Sequence, residues 1–164
     1  MNIFYVDENP VIAAQMLVNK HIVKMPTETA QILANCYSTA MLANAPKTQK
    51  GAVRKYSYPN HPCTIWARTS IDNFTWTLTH GIALTKEYTH RYGKIHFCTS
   101  FFDWCLANRP DRMLTNQTKF TQPACAVKDY PILSTVIETY RNYYNQDKRN
   151  LFAWKNREKP DWIL

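Results

Sequence analysis

Glycine is almost missing from this chain, with three residues in 164, at positions 51, 81 and 93. So few cannot build a glycine-rich phosphate cradle, and neither a P-loop nor a G-x-G-x-x-G pattern occurs, which argues against nucleoside triphosphate hydrolysis. G-x-S-x-G and H-E-x-x-H are absent as well, removing the simplest serine-hydrolase and zinc-protease readings. The five cysteines, at 36, 63, 98, 105 and 125, form no C-x-x-C pair and leave an odd number, against a disulfide framework and a cysteine-based zinc site. The five histidines, at 21, 61, 80, 90 and 96, show no metal-ligand spacing with carboxylates, so neither a metal nor a cofactor is expected. No apolar run approaches the roughly 20 residues of a membrane span, and MNIFYVDENP lacks the pattern of a signal peptide. A soluble cytoplasmic protein is the expectation, with no membrane partner.

Acidic residues are scarce too. Twelve Asp and Glu face twenty Lys and Arg, a formal net charge of +8, and such an excess favours polyanionic partners, duplex DNA or a nucleotide among them. What the chain has in quantity is aromatic: ten Tyr, seven Phe and five Trp. Flat side chains beside cations suit base stacking and phosphate contacts, although Trp76, Phe97, Phe101 and Trp104 lie in apolar-periodic segments and read as core.

No repeat or linker divides the chain, and its length suits one domain over residues 1–164. The expected fold is mainly α: a single-domain helical bundle with a short N-terminal β-strand and long irregular C-terminal connections. NIFYV supplies the strand, and Asn9 followed by Pro10 starts a helix. Pro26 opposes that helix, so either a second one begins near it or one kinked helix runs to about Asn44. Residues 45–60 form a basic loop without a single acid, carrying Lys47, Lys50, Arg54 and Lys55. Pro62 begins a helix capped by Asn60 or His61, Ser70 caps a longer one over residues 71–92, and Gly93 ends it in the left-handed region. Its last turn, with His90, Arg91 and then Lys94, places cations where the helix dipole favours them. A further helix is expected over 94–107, an irregular stretch over 108–130, and a final helix from Pro131 or Ile132 to about Gln146.

One segment concentrates chemistry. His21, Lys24, Glu28 and Gln31 recur at offsets that a continuous helix gathers into one stripe, spanning roughly 80° at about 100° per residue. Glu28 is suited to general acid/base work or to stabilising a cationic sugar, and Lys24 to Schiff-base formation if desolvated, or to a phosphate contact or an ion pair with Glu28. A solvated helix face would carry the same spacing.

The segment AAQMLVNKHIVKMPTETAQIL, the Asn60-His61-Pro62 motif followed by Trp66, and the later YTHRYG together resemble the pyrimidine dimer DNA glycosylases over about the first 95 residues. The resemblance implies a helical protein that binds duplex DNA, extrudes a nucleotide and cleaves a glycosidic bond. On that reading Glu28, Lys24 and His21 are the catalytic candidates, and Gln31, Asn60, His61 and Trp66 bind the substrate. Lys20, Lys47, Lys50, Arg54, Lys55, Arg91 and Lys94 contact nucleic acid, while Tyr56, Tyr58 and Trp66 are candidates to fill the vacated stack. Two departures stand beside the likeness. The family's phage repair enzyme uses the α-amine of a small residue exposed by methionine removal, whereas Asn2 usually leaves Met1 in place. Its catalytic Glu lies within the basic segment, whereas Glu28 follows it. Two alternatives therefore remain: a base-modifying transferase acting on hypermodified pyrimidines, and a non-catalytic binder of nucleic acid or nucleotides.

Overall fold

The computed structural model describes residues 1–127 and 130–164. Among these, seven α-helices carry the chain: α1 (Pro10–Met16), α2 (Asn19–Ala34), α3 (Thr39–Ala43), α4 (Pro62–Thr69), α5 (Ile71–Tyr92), α6 (Thr99–Ala107) and α7 (Val136–Asp147). A 3-10 turn at Arg149–Leu151 follows α7. The mainly helical expectation holds, and the helix starts have local causes. The Asn9 side chain accepts from the Val11 and Ile12 amides ahead of Pro10, the His61 ring accepts from the Cys63 amide ahead of Pro62, and Ser70 accepts from the Asn73 amide. Gly93, at φ +66°, closes α5 by donating its N–H to the Thr89 carbonyl.

Helix α5 is the hub, with α1, α2, α4 and α6 packed around it. Its Phe74, Trp76, Leu78 and Leu84 are buried, and Gly81 sets how closely the neighbours approach. A Cβ at Gly81 would stand 2.8 Å from the Phe102 ring of α6 and 3.0 Å from Thr29 Cγ2 of α2. The N-terminal segment is threaded into this bundle: Ile3 to Val6 are buried, the Trp76 indole donates to the Glu8 carbonyl, and the His80 ring bonds the Pro10 carbonyl.

Several expectations need correction. NIFYV is not a strand. Phe4 takes φ +45°, and the Asn2 Oδ1 accepts from the Ile3 and Phe4 amides, so a side chain supplies what a neighbouring strand would have supplied. Pro26 does not break the helix either. The break falls at Leu17 and Val18, and Pro26 lies buried inside α2, where burial along the same face outweighs the roughly 3 kcal/mol a helix-interior proline costs. Helix α6 begins at Thr99 rather than Lys94, because the His96 ring and carbonyl accept from the Cys98 and Thr99 amides. Helix α7 begins at Val136, where Thr135 and Glu138 form a reciprocal capping box. The stretch from 108 runs irregularly through Val127, touching the helices by a bridge between Ser70 and Gln117; residues 128 and 129 of the expected connection lie outside the described residues. All five cysteines are free thiols. No helix among the described residues is long and apolar enough to cross a membrane.

Candidate active site

Because α2 is continuous through Pro26, His21, Lys24 and Glu28 do share one face, and together with Met25 they line a cavity of about 230 Å³. Met1, Asn2 and Phe4 form a second wall, and Tyr143 and Lys148, at the end of α7, form a third. Glu28 is the acid of this cavity among the described residues. Its Oε2 accepts from the Asn2 amide at 2.9 Å and lies 3.9 Å from the Met1 nitrogen, and its Oε1 pairs with Lys24 Nζ at 3.0 Å. The carboxylate is 13% exposed, whereas Lys24 remains 70% exposed. An acid held by a backbone donor and flanked by two amines is oriented without being sealed.

His21 forms the floor. Its ring stacks on Phe4 at 4.4 Å between centroids, and its Nδ1 pairs with the buried Tyr144 hydroxyl. Burial pushes the imidazole down to about 4, with Lys148 and Lys24 acting in the same direction, so His21 is neutral at physiological pH. The strained φ of Phe4 occurs here, at a cavity wall, rather than in a remote turn.

The second expected segment approaches from α4. His61, half-buried as the N-cap of α4, does not line the cavity; burial and then the Met1 amine hold its pKa below the ordinary value against the opposing effect of Glu28. Asn60 is exposed on the preceding turn, and Gln31, half-buried one turn beyond Glu28, does not line the cavity. Trp66 is not a substrate contact: it is buried against Tyr5, Trp76 and Phe120, and its indole donates to the Thr121 carbonyl. Tyr56 lies under the Arg112 guanidinium at 4.2 Å, while Tyr58, at φ +48°, is exposed.

The basic residues divide in two. Lys20, Lys47, Lys50, Lys55 and Lys94 are exposed. Arg54 and Arg91 are not, which corrects their assignment as nucleic-acid contacts. Arg54 is buried 4.1 Å over the Phe101 ring and donates to the Pro46 carbonyl. Arg91 is buried in a network with Glu87, Asn19 and the Leu17 and Gln15 carbonyls. The end of α5 therefore does not flank the cavity but is tied to the α1–α2 junction and to the C-terminal tail, where the His90 ring bonds the Asn156 carbonyl. Sequence reasoning missed Asn2, Tyr143, Tyr144 and Lys148. The signal available for the last three was the cluster YRNYYNQDK, two adjacent tyrosines with a lysine one turn on. Among the described residues no group of three His, Cys, Asp or Glu is arranged to hold a metal ion.

A helical scaffold that brings one oriented carboxylate, two amines and a neutral imidazole to one small cavity has the parts of an acid–base or amine-assisted enzyme. The chain belongs to the pyrimidine dimer DNA glycosylase family, whose model matches residues 1–100. No curated protein and no solved structure matches it. The matched part contains Met1, Asn2, Phe4, His21, Lys24, Glu28 and His61; the α7 wall lies beyond it.

Proposed function

We propose that this protein cleaves the N-glycosidic bond of a damaged or modified pyrimidine in duplex DNA, with Glu28 as the carboxylate at the sugar. The observation that carries the reading is the Glu28 cluster: a nearly buried acid within 3.0 Å of one amine and 3.9 Å of another. When the bond between C1′ and the pyrimidine nitrogen lengthens, positive charge gathers on the sugar, and a fixed carboxylate stabilises it without reorganisation. In the amine-assisted form, a nitrogen lone pair makes the new bond to C1′ as the pyrimidine leaves with the electrons of the old one. The attacking amine must shed a proton, and Glu28, beside both amines, is placed to take it. Lys24 and the Met1 amine are the two candidates. The exposed lysines 20, 47, 50 and 55 supply the sequence-independent attraction to phosphates.

The test uses labelled duplexes carrying thymine dimers or modified pyrimidines. Wild type releases base, and Glu28→Gln lowers the rate by about 10³-fold, within the range for a lost acid–base group, while keeping duplex affinity within about threefold. Borohydride trapping followed by peptide mass spectrometry assigns the amine to residue 1 or to Lys24. Salt-sensitive DNA binding with no base release from any of these duplexes overturns the glycosylase reading.

A further inference from the structure

The α7 wall carries no part of the chemistry above, yet it completes the cavity. Lys148 is the C-cap residue of α7, and its Nζ stands 4.6 Å over the Tyr143 ring. Tyr143 in turn lies nearly parallel to Phe4, at 6.5 Å and 12°, and Phe4 stacks on His21 at 16°. A ladder of four flat or cationic groups thus runs from the end of α7 to α2, and it holds Lys148 at a cavity that Lys24 and Glu28 line from α2. Both lysines stand near enough to the buried His21 imidazole to help hold its pKa down, after burial itself.

The charge and size of the cavity define what enters. Among the described residues of the lining, Lys24, Lys148 and the Met1 amine are set against one acid, Glu28, so an anionic group is attracted. About 230 Å³ is below the roughly 300–1,000 Å³ of pockets that engulf a whole small molecule, and suits a sugar with one phosphate better than an extruded dinucleotide. A lysine held over an aromatic ring keeps its charge while losing conformational freedom, which favours a fixed phosphate contact over a fluctuating one.

We infer that Lys148, positioned by Tyr143, is one jaw of a phosphate clamp whose other jaw is Lys24, and that the clamp holds the backbone of the substrate strand so that the sugar faces Glu28. The inference rests on DNA being the substrate. It makes Lys148 a specificity-determining residue contributed by the C-terminal third of the chain, outside the part matched by the family model.

The experiment is a salt titration of binding to a lesion-containing duplex, with single-turnover base release measured in parallel. Removing one phosphate contact in Lys148→Gln lowers the slope of log affinity against log salt by about 0.9 and the affinity at 0.1 M salt by about fivefold. Base release at saturating DNA also falls, by about tenfold, because a strand no longer clamped presents its sugar to Glu28 less often. Lys148→Arg restores slope and affinity, and Tyr143→Ala loses them although it removes no charge. Lys159→Gln, on the C-terminal tail and lining a different cavity beside Ile12 and Met16, leaves both unchanged. A wild-type slope in Lys148→Gln, or an equal loss in Lys159→Gln, overturns the clamp. Because the slope is a binding measurement, it decides the clamp even if no duplex releases base, so failure of the enzymatic reading and failure of the clamp are separately visible.

Discussion

Two acid–base pairs with the same helical spacing do opposite things in this protein. Lys24–Glu28 on α2 and Glu87–Arg91 on α5 are both four residues apart. In the first, the cation is 70% exposed and the acid borders a cavity; in the second, Arg91 is fully buried and Glu87 is 3% exposed. Glu87 also receives a two-pronged contact from Arg157 of the C-terminal tail, with Nη2 at 2.9 Å and Nε at 2.9 Å from its two oxygens. Arg91 spends its remaining donors on the Gln15 and Leu17 carbonyls and on Asn19. The α5 pair is thereby closed: every group has a partner within the protein, and the result is a staple joining α5, the α1–α2 junction and the tail. The α2 pair is open. Its carboxylate takes donors from Lys24, the Asn2 amide and the Met1 amine and still borders a cavity. Spacing alone does not separate a staple from a site; saturation of the partners does.

Breaking the staple produces the largest effect. Glu87→Gln leaves two guanidinium groups, one of them fully buried, without their counter-charge, and is expected to cost about 3–5 kcal/mol in urea unfolding. Its catalytic rate at a temperature where it is folded stays near that of wild type, the reverse of Glu28→Gln. An unfolding cost below about 1 kcal/mol would place the two pairs in the same class.

Acidification is the next lever. His21 and His80 have pKa values pushed down to about 4 by burial, against an ordinary value of 6.5. Between pH 6.5 and 4 the unfolded chain therefore binds protons that the folded chain refuses, and stability falls by about 3 kcal/mol for each histidine, about 6 kcal/mol in all, as pH drops through that window. Glu87, held below its ordinary value of 4.5 by its hydrogen bonds to Arg157 and Arg91 despite burial, adds a loss of the same sign below that point. Urea midpoints measured at pH 7, 5.5 and 4 check this. Replacing His80 by Asn, which can still donate to the Pro10 carbonyl, should flatten the dependence, and an unchanged slope would reject the assignment.

Smaller effects grade the comparison. Arg157→Ala removes the partly exposed arm of the staple and is expected to cost about 1 kcal/mol, with the tail becoming more accessible to protease. Lys24→Ala removes the exposed cation of a pair in the less favourable order, cation before acid, and should change stability by less than about 0.5 kcal/mol. A much larger loss at Lys24 would show that the α2 pair is structural after all.

Helix ends were legible because they obey local chemistry. Asn9 with Pro10, His61 with Pro62, Ser70 and Gly93 each satisfy or release a backbone group within three or four residues of themselves. The stripe from His21 to Glu28 was legible for the same reason, being a period along one helix. What misled were groups whose roles depend on distant partners. Pro26 looked like a break until burial of α2 is counted, and NIFYV has strand composition but no neighbouring strand to pair with. Arg91 and Arg54 had the look of surface cations, and Trp66 that of a stacking platform; contacts far along the chain bury all three.

By itself, then, the sequence determined a helical chain with a basic surface, most of the positions where its helices begin and end, and a carboxylate aligned with a histidine and a lysine. These follow from interactions within a turn or two, which the order of residues specifies directly. Only the tertiary structure decided which cations are free and which are sealed, brought residues 1–4 alongside Glu28, and set Tyr143 and Lys148 more than a hundred residues away as the facing wall of the same cavity. Packing of α7 and the N-terminal segment onto α2 is a long-range outcome of burying many side chains at once, and no spacing along the chain encodes it.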